Sequence, residues 1–221
     1  MNKFKLINII GIDGAGKTTL AKALAKELQK QDATVRYRYC QYFAKLLYPL
    51  KRLARLSVMR KTNGFKNYGH YNKTKKVTSS RFPLLANMYA AIWLIDYLIQ
   101  VFFKITIPGL IGQKLIIDRY IFDIAVNLSL TTNNDISYAQ KIISFFLKFA
   151  PRPDLILFID LPEEVAFSRK DDIQDIEYLR ERRERYLALA ETYNFKFLKG
   201  TKPQKQMLIE ARNIMDCNEQ R

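Results

Sequence analysis

A short glycine-rich segment near the start of the chain constrains the fold more than any other feature. Residues 11–18 read Gly-Ile-Asp-Gly-Ala-Gly-Lys-Thr, which matches the pattern G-x-x-x-x-G-K-[ST]. A mostly apolar run at residues 4–10 precedes the segment, and apolar residues recur at helical spacing after Lys17. Because glycines let the backbone curl around an anion, this order of strand, loop and helix predicts an α/β protein with a phosphate-binding loop.

The residue types in this loop are those that binding of a nucleotide phosphate requires. Consecutive N–H groups would point at phosphate oxygens, and the helix that follows would add its positive end. Lys17 is expected to bridge the β- and γ-phosphates, and the Thr18 hydroxyl to take a coordination position on Mg²⁺. We therefore predict that the loop binds a nucleoside triphosphate. The predicted binding residues are Gly11, Asp13, Gly14, Ala15, Gly16, Lys17, Thr18 and Thr19.

Further apolar runs predict the rest of a sheet. Residues 114–118 and 154–161 are typical of buried parallel strands. Residues 34–39 and 195–198 could supply two more. Because long helical stretches separate these runs, we predict about five parallel strands flanked by helices in three layers, with right-handed crossovers. The length of 221 residues fits a single domain that spans the whole chain.

Positive charge is concentrated in one part of the chain. The formal net charge is +16, but residues 33–95 hold 13 Lys and Arg with no carboxylate, whereas residues 96–221 hold 18 of each sign. A basic stretch suits a polyanionic partner, which could be a phosphorylated substrate, an anionic membrane surface or, least favoured, a nucleic acid. Residues 61–81 are polar and lack apolar periodicity, so we predict a basic insertion there.

The cysteines and the first residues of the chain indicate the cellular compartment of the protein. Cys40 and Cys217 are the two cysteines and lie far apart, and the chain does not start with a signal-peptide pattern. We expect a cytoplasmic protein without a disulfide framework.

Residues 83–108 form the most apolar stretch of the chain. Asp96, Gln100 and Lys104 interrupt it at intervals of four residues, so they should share one narrow stripe of a helix. A core helix or a subunit-interface helix is the favoured interpretation, and residues 83–104 could then join two copies in a homodimer. Peripheral contact with an anionic membrane is the second. A spanning helix is the least favoured, because Asp96 lies near the middle.

Two motifs together resemble the thymidylate kinases. One is the loop through Thr19, which ends Asp-Gly-Ala-Gly-Lys-Thr-Thr, and the other is Asp118-Arg119-Tyr120 at the end of a hydrophobic strand. The later features that follow in the family's order are a strand at 153–162, a helix at 163–169, an Arg-rich lid and the segment 183–190. The resemblance implies a P-loop kinase fold and transfer of a phosphoryl group from ATP, with Mg²⁺, to a nucleoside monophosphate.

The resemblance also implies roles for particular residues. Arg119 would hold the acceptor phosphate, and Asp118 would orient the magnesium ion or its waters. Asp13 would contact the acceptor sugar or a metal-bound water, or would only stabilise the turn. A lid at residues 169–185 would supply cations, although several of its arginines could instead decorate a solvated helix face. The expected catalytic residues are Lys17, Asp118, Arg119, Arg169 and Arg183, and the expected metal ligands are Thr18 and Asp118.

The chain departs from the family pattern on the acceptor side. Ile10 stands where the family often has Glu, residues 37–43 lack the family's Arg-Glu/Asp-Pro-Gly-Gly segment, and Asp123 and Asn127 occupy the stretch of its Ser, Tyr and Gln. The helix that normally offers an arginine to thymidylate is the apolar region 84–98. Transfer from ATP is therefore better supported than the identity of the acceptor.

Three functions follow from these observations. The favoured one is ATP-dependent phosphorylation of a nucleoside monophosphate, with dTMP as the leading acceptor. The first alternative is a related kinase for a nucleoside, a sugar phosphate or a lipid phosphate. The second is a nucleotide-binding regulatory module on membranes or nucleic acid.

Overall fold

The computed structural model describes residues 4–41, 93–132, 134–169 and 175–219. The predicted insertion at 61–81 and residues 83–92 of the apolar stretch lie outside this part of the chain, as do residues 170–174 of the lid. The strands are β1 (Leu6–Gly11), β2 (Val35–Tyr39), β3 (Lys114–Asp118), β4 (Leu155–Asp160) and β5 (Lys196–Lys199). The helices are α1 (Lys17–Gln29), α2 (Trp93–Leu110), α3 (Ile121–Thr131), α4 (Ile136–Phe146), α5 (Glu163–Ser168), α6 (Ile176–Ala190) and α7 (Gln204–Glu219).

The five strands form one parallel sheet in the order β2-β3-β1-β4-β5. All six residues of β1 are buried, because helices cover both faces of a parallel sheet and leave no polar side. The predicted three-layer α/β fold is confirmed. The observed strands differ from the predicted runs by no more than a residue or two at each end.

The strand register places two functional segments side by side. β1 lies at the centre of the sheet, and Ile9 pairs with Asp118 at the carboxyl end of β3. The N–H of Arg119 continues this ladder by donating to the carbonyl of Ile9 over 3.3 Å. Because ligands of open α/β sheets bind beyond the carboxyl ends of the strands, the loop after β1 and the triplet after β3 share one edge.

Two helices near the site begin at side-chain caps. Asp135 accepts a hydrogen bond from the N–H of Tyr138 over 3.1 Å at the start of α4. Asp175 accepts one from the N–H of Glu177 over 2.9 Å at the start of α6. Each cap satisfies a backbone donor that the first helical turn leaves open. The cap at Asp175 therefore fixes where the described part of the lid becomes helical.

Helix α2 buries its polar side chains and exposes apolar ones, the reverse of an ordinary surface helix. The row that begins with Asp96 and Gln100 faces inward, and these two side chains are 1% and 5% exposed. The opposite face carries apolar side chains in solvent, among them Ile95 at 56% and Phe103 at 63%. The predicted stripe is present, but it faces the interior. The expectation of a core helix therefore holds for one face only.

The same helix is long and apolar enough to cross a membrane by length and composition. The window Trp93–Leu110 has a mean hydropathy of 1.3, and 39% of it is buried inside the protein. Core helices of soluble proteins commonly have the same length and composition. A five-residue π-helical turn, Phe102–Thr106, interrupts its regular winding.

Candidate active site

The loop between β1 and α1 has the backbone of an anion cradle. Gly14 and Gly16 have φ values of 88° and 87°, in the region that favours glycine. At Gly14 there is also no space, because a Cβ would lie 2.7 Å from the carbonyl oxygen of Ala166 in α5. The loop therefore packs directly against the helix after β4, and its shape is fixed by neighbours as well as by its own sequence.

Lys17 folds back onto the loop. Its Nζ donates hydrogen bonds to the carbonyl oxygens of Gly11 and Ile12 over 2.8 and 2.7 Å, and it lies 3.7 Å from Oδ1 of Asp13. Burial, followed by repulsion from Arg119, lowers the pKa of Lys17 to about 8. A phosphate in the cradle would add negative charge beside this lysine and favour its charged form.

Thr18 and Asp118 meet across the sheet edge. The Thr18 hydroxyl donates to Oδ2 of Asp118 over 2.5 Å, and the Tyr37 hydroxyl donates to the same oxygen over 3.2 Å. The other carboxylate oxygen, Oδ1, is buried and has no hydrogen-bond partner among the described residues. An oxygen without a partner next to a hydroxyl is the donor set that Mg²⁺ prefers, since this ion keeps most of its waters and takes one or two protein ligands. These residues fit a magnesium ion.

Arg119 contacts the phosphate loop through Asp13. Its Nη2 forms a short ion pair with Oδ1 of Asp13, and its Nη1 lies 3.8 Å from Oδ1 of Asp123. Burial would raise the pKa of Asp13, but Lys17 and Arg119 hold it well below its usual range. Arg119 has a φ of 63°, which is unusual for a residue with a side chain. The guanidinium therefore sits beside the cradle, held by two carboxylates.

Arg169 and Arg183, the two lid arginines predicted from the sequence to be catalytic, do not contact the ion pair between Arg119 and Asp13. Nη1 of Arg169 donates to the carbonyl of Gly200 over 3.2 Å. Arg183 pairs with Asp160 over 2.8 Å and with Glu163 over 3.2 Å. Both therefore lie on the β4 and β5 side of the loop, and Arg183 is already engaged by two carboxylates.

A third lid arginine, Arg182, reaches the side of the site where Arg119 lies. Its Nη2 donates to Oδ1 of Asn127 over 2.8 Å, and its guanidinium carbon lies 4.6 Å from the centre of the Tyr178 ring. The Tyr178 hydroxyl donates to Oδ2 of Asp13 over 3.0 Å, and that of Tyr186 donates to Oδ1 of Asp123 over 2.9 Å. Helix α6 therefore contacts both carboxylates that hold Arg119.

The sequence contained a signal for these contacts. Positions 178, 182 and 186 recur every four residues and so occupy one face of α6. The many charged residues around them obscured this row, because Glu and Arg fill all six positions from 180 to 185. Two tyrosines and an arginine on one face of a lid helix are the residues that the sequence interpretation missed.

A cavity of about 80 Å³ opens beside Arg119. Its polar and aromatic lining includes Gln41, Trp93, Arg119, Asp123, Asn127 and Arg182. These residues come from the end of β2, the start of α2, the region of α3 and the lid helix α6. Gln41, Trp93, Asp123 and Asn127 belong to the stretches in which the sequence departs from the family pattern.

A larger cavity of about 850 Å³ lies at the other end of the sheet. Thr34, Lys114 and Met215 are part of its wall, next to the amino ends of β2 and β3. It contains none of the residues predicted for the site. The smaller cavity, in contrast, lies at the carboxyl ends of the strands, where open α/β sheets bind their ligands.

Comparison with known proteins agrees with this geometry. Residues 85–210 match the family model described as thymidylate kinase, which is more than half of the chain. The chain belongs to the thymidylate kinase family. As a member of this family it is a nucleoside monophosphate kinase, a transferase that binds nucleotides.

Individual relatives match nearly the whole chain. The "Probable thymidylate kinase 1" of Saccharolobus solfataricus is 29% identical over 97% of this chain and 98% of its own length. The "Probable thymidylate kinase" of Archaeoglobus fulgidus is 28% identical over 96% of this chain and 94% of its own. That of Metallosphaera sedula is 28% identical over 91% and 87%. The thymidylate kinase resemblance seen in the sequence is confirmed.

Proposed function

We propose that the protein transfers the γ-phosphoryl group of ATP to dTMP, with Mg²⁺. The position of Arg119 supports this most directly, because its guanidinium lies between the phosphate cradle and the acceptor-side cavity. The printed names of its relatives point to the same acceptor. Such an enzyme would work in the cytoplasm, where its nucleotide substrates are.

Phosphoryl transfer requires the protein to position the two substrates and to stabilise negative charge. Lys17 would exchange its two carbonyl contacts for the β- and γ-phosphates, and the N–H groups of the loop would hold the same oxygens. Arg119 would hold the acceptor phosphate in line with the γ-phosphoryl group. Negative charge spreads over the transferred group in the transition state, and these cations would stabilise it.

Thr18 and Asp118 would hold the magnesium ion, Thr18 directly and Asp118 directly or through bound waters. When bound there, the ion would supply positive charge that offsets the negative charge of the donor phosphates. The contribution of the chain is to keep the hydroxyl and the carboxylate in place before the nucleotide arrives. Tyr37 supports that placement through its hydrogen bond to Asp118.

The lid, residues 169–185, would close over the donor and acceptor. Arg169 and Arg183 remain the proposed lid cations on the donor side. To act on the phosphates, Arg183 would have to leave Asp160 or Glu163, and ATP offers a stronger negative charge than either carboxylate. Closure would also exclude water from the transferred group.

An assay of ADP release tests the proposal. We expect release that depends on added acceptor, with dTMP as the best of a panel of nucleoside monophosphates, nucleosides and sugar phosphates. Lys17→Ala should abolish it. Turnover with a nucleoside or a sugar phosphate alone would support the related-kinase alternative. Nucleotide binding without acceptor-dependent turnover across the panel would contradict the proposal.

The outer face of α2 indicates how the enzyme assembles. We propose that this face packs against a second copy of the chain in a homodimer. Ile95, Ile99, Phe102, Phe103 and Leu110 are exposed there. A helix that lies on an anionic membrane shows cations on its polar face. In α2 the polar row is turned into the protein, so a second apolar face is the better partner.

Sedimentation or light scattering measures this assembly. A dimer is expected for the natural chain and a monomer for Phe103→Glu. Ile209→Glu is the matched control, because Ile209 is equally exposed on the distant helix α7. A monomeric natural chain, or one that floats with anionic vesicles, would contradict the dimer.

A further inference from the structure

Asp13 stands between two cations of the site. Its Oδ1 forms an ion pair with Nη2 of Arg119 and lies 3.7 Å from Nζ of Lys17. These two cations have different tasks in the proposed reaction, since Lys17 would hold the donor phosphates and Arg119 the acceptor phosphate. The direction of the Asp13 carboxylate therefore decides how its charge is divided between the donor side and the acceptor side.

Two side chains from different elements hold this carboxylate. Arg119, which follows β3, contacts Oδ1, and the hydroxyl of Tyr178, in the first turn of α6, donates to Oδ2 over 3.0 Å. Each carboxylate oxygen thus has its own donor. Because a carboxylate is planar, a donor fixed on Oδ2 sets the direction in which Oδ1 faces Arg119.

The ring of Tyr178 is itself held in place. The guanidinium carbon of Arg182, one turn further along α6, lies 4.6 Å from the centre of the ring, and a cation on the face of an aromatic ring is attracted to it. Nη2 of Arg182 in turn donates to Oδ1 of Asn127 in α3 over 2.8 Å. The cap at Asp175 fixes the turn of α6 in which Tyr178 lies. The hydroxyl is therefore directed at the phosphate loop from a fixed support.

Arg119 depends on Asp13 for its own orientation. Its side chain is 17% exposed, so it has few positions open to it. Asp13 makes the closer of its two carboxylate contacts, because Oδ1 of Asp123 is 3.8 Å away. A change in the direction of the Asp13 carboxylate would therefore move the guanidinium that the proposed acceptor phosphate meets.

We propose that Tyr178 is a positioning residue for the acceptor phosphate: its hydroxyl orients Asp13, and Asp13 orients Arg119. This inference rests on the proposed function, in which Arg119 holds that phosphate. It adds that the acceptor arginine depends on a residue of the lid helix. The acceptor would then bind fully only while the first turn of α6 lies against the phosphate loop. A bound acceptor would stabilise this position of α6, because such coupling is reciprocal.

Binding of dTMP and of thymidine to Tyr178→Phe tests this role. The variant keeps the ring beside Arg182 and loses only the hydroxyl. Thymidine has the base and sugar of dTMP but no phosphate for Arg119 to hold. The dissociation constant for dTMP, measured by calorimetry, should therefore rise roughly 3- to 30-fold. That for thymidine, measured by competition with dTMP, should stay nearly unchanged.

Steady-state kinetics distinguish this loss from partial misfolding. In Tyr178→Phe the KM for dTMP should rise by a similar factor and kcat should change little, because losing a contact made equally in the ground state and the transition state raises KM alone. A partly unfolded preparation would instead lower kcat and leave KM unchanged.

Two further variants show whether the effect passes through Asp13. In the Asp13→Ala background the link to Arg119 is already lost, so adding Tyr178→Phe should not weaken dTMP binding further. Tyr193→Phe is the matched control, because it removes a phenol hydroxyl that donates to the carbonyl of Gln140 beyond the end of α6. This control should bind dTMP as the natural chain does.

The outcomes separate this inference from the proposed function. An unchanged affinity of Tyr178→Phe for dTMP would overturn the inference alone. So would equal losses for dTMP and thymidine, which would indicate an effect on the nucleoside, and so would a full additional loss in the Asp13→Ala background. A natural chain that releases no ADP in response to dTMP would overturn the proposed function, and this inference with it.

Discussion

The hydroxyl of Thr18, in the first turn of α1, donates a hydrogen bond to Oδ2 of Asp118 at the end of β3 over 2.5 Å. Two segments that are 100 residues apart in the chain are thereby joined at the point where the proposed metal would bind. The contact depends on the register of β1 and β3, which places Asp118 opposite Ile9.

The first prediction concerns Asp118→Asn. The amide still accepts from Thr18 and Tyr37 but lacks the charge that a divalent cation requires. We expect the Mg²⁺ concentration for half-maximal rate to rise by roughly 10- to 100-fold, measured by titrating Mg²⁺ at saturating nucleotide. Tyr37→Phe is the control, because it removes only a 3.2 Å hydrogen bond to the same carboxylate. Equal effects of the two variants would argue against a metal at Asp118.

The second prediction concerns Arg119. Arg119→Ala should lower kcat/KM for the acceptor by roughly a thousandfold, as expected when an arginine that stabilises a phosphoryl transition state is lost. The dissociation constant for ATP should change little. Arg119→Gly is the control for the backbone, since glycine adopts the φ of 63° freely. A kinetically silent Arg119→Ala would contradict the acceptor-phosphate assignment even if ATP hydrolysis remained.

The third prediction is a pH dependence of ATP binding. Burial lowers the pKa of Lys17 to about 8, and bound phosphates should raise this pKa because they favour the charged form. Above pH 8 binding must then take up a proton, so affinity should fall as pH rises, by about tenfold per pH unit at most.

Calorimetry in two buffers of different ionisation enthalpy measures this proton uptake directly. We expect uptake at pH 8.5 and little at pH 6.5. Lys17→Arg is the control, since arginine does not titrate in this range and its profile should be flat between pH 8 and 9. Affinity that is independent of pH in the natural chain would show that Lys17 stays protonated without ligand.

The fourth prediction concerns stability. The buried hydroxyl of Tyr186 donates to Oδ1 of Asp123 over 2.9 Å, and burial raises the pKa of that carboxyl against the opposing influence of Arg119. Tyr186→Phe should lower the free energy of unfolding by about 1–3 kcal/mol, because it leaves a buried carboxylate with one donor fewer.

Urea denaturation measures this loss. Tyr138→Phe, which removes a hydroxyl from α4 outside the site, is the control and should cost less than about 0.5 kcal/mol. A loss at position 186 no larger than at position 138 would mean that Arg119 and the backbone of Tyr120 already satisfy Asp123.

The sequence predicted the sheet and the loop after β1 because both depend on local patterns. A buried parallel strand is a continuous apolar run, and the loop is a contiguous motif, so β1 and Lys17 could be placed without any knowledge of the rest. The triplet Asp118-Arg119-Tyr120 could be placed at the edge of the sheet because it directly follows an apolar run. These features require no knowledge of how helices are rotated about their axes.

The lining of the cavity beside Arg119 depends on such rotations and was predicted less well. Arg182 and Arg183 are adjacent in the sequence, yet one turns toward Asn127 and the other toward Asp160. Which of them faces the cavity is set by the packing of α6 against α3 and α5. The same holds for α2, where the stripe of Asp96 was evident but the side it faces was not. Periodicity shows that residues share a face, and only packing shows where that face points.

The arrangement of the site has a consequence for how such enzymes diverge. The residues proposed to bind the donor lie in one loop and at the end of one neighbouring strand. The residues that line the proposed acceptor cavity are spread over α2, α3 and α6. Mutations at a few positions of these helices should then change the acceptor and leave the ATP chemistry untouched. Descendants of one ancestral gene with different acceptors should accordingly vary at these positions and keep residues 11–18 unchanged.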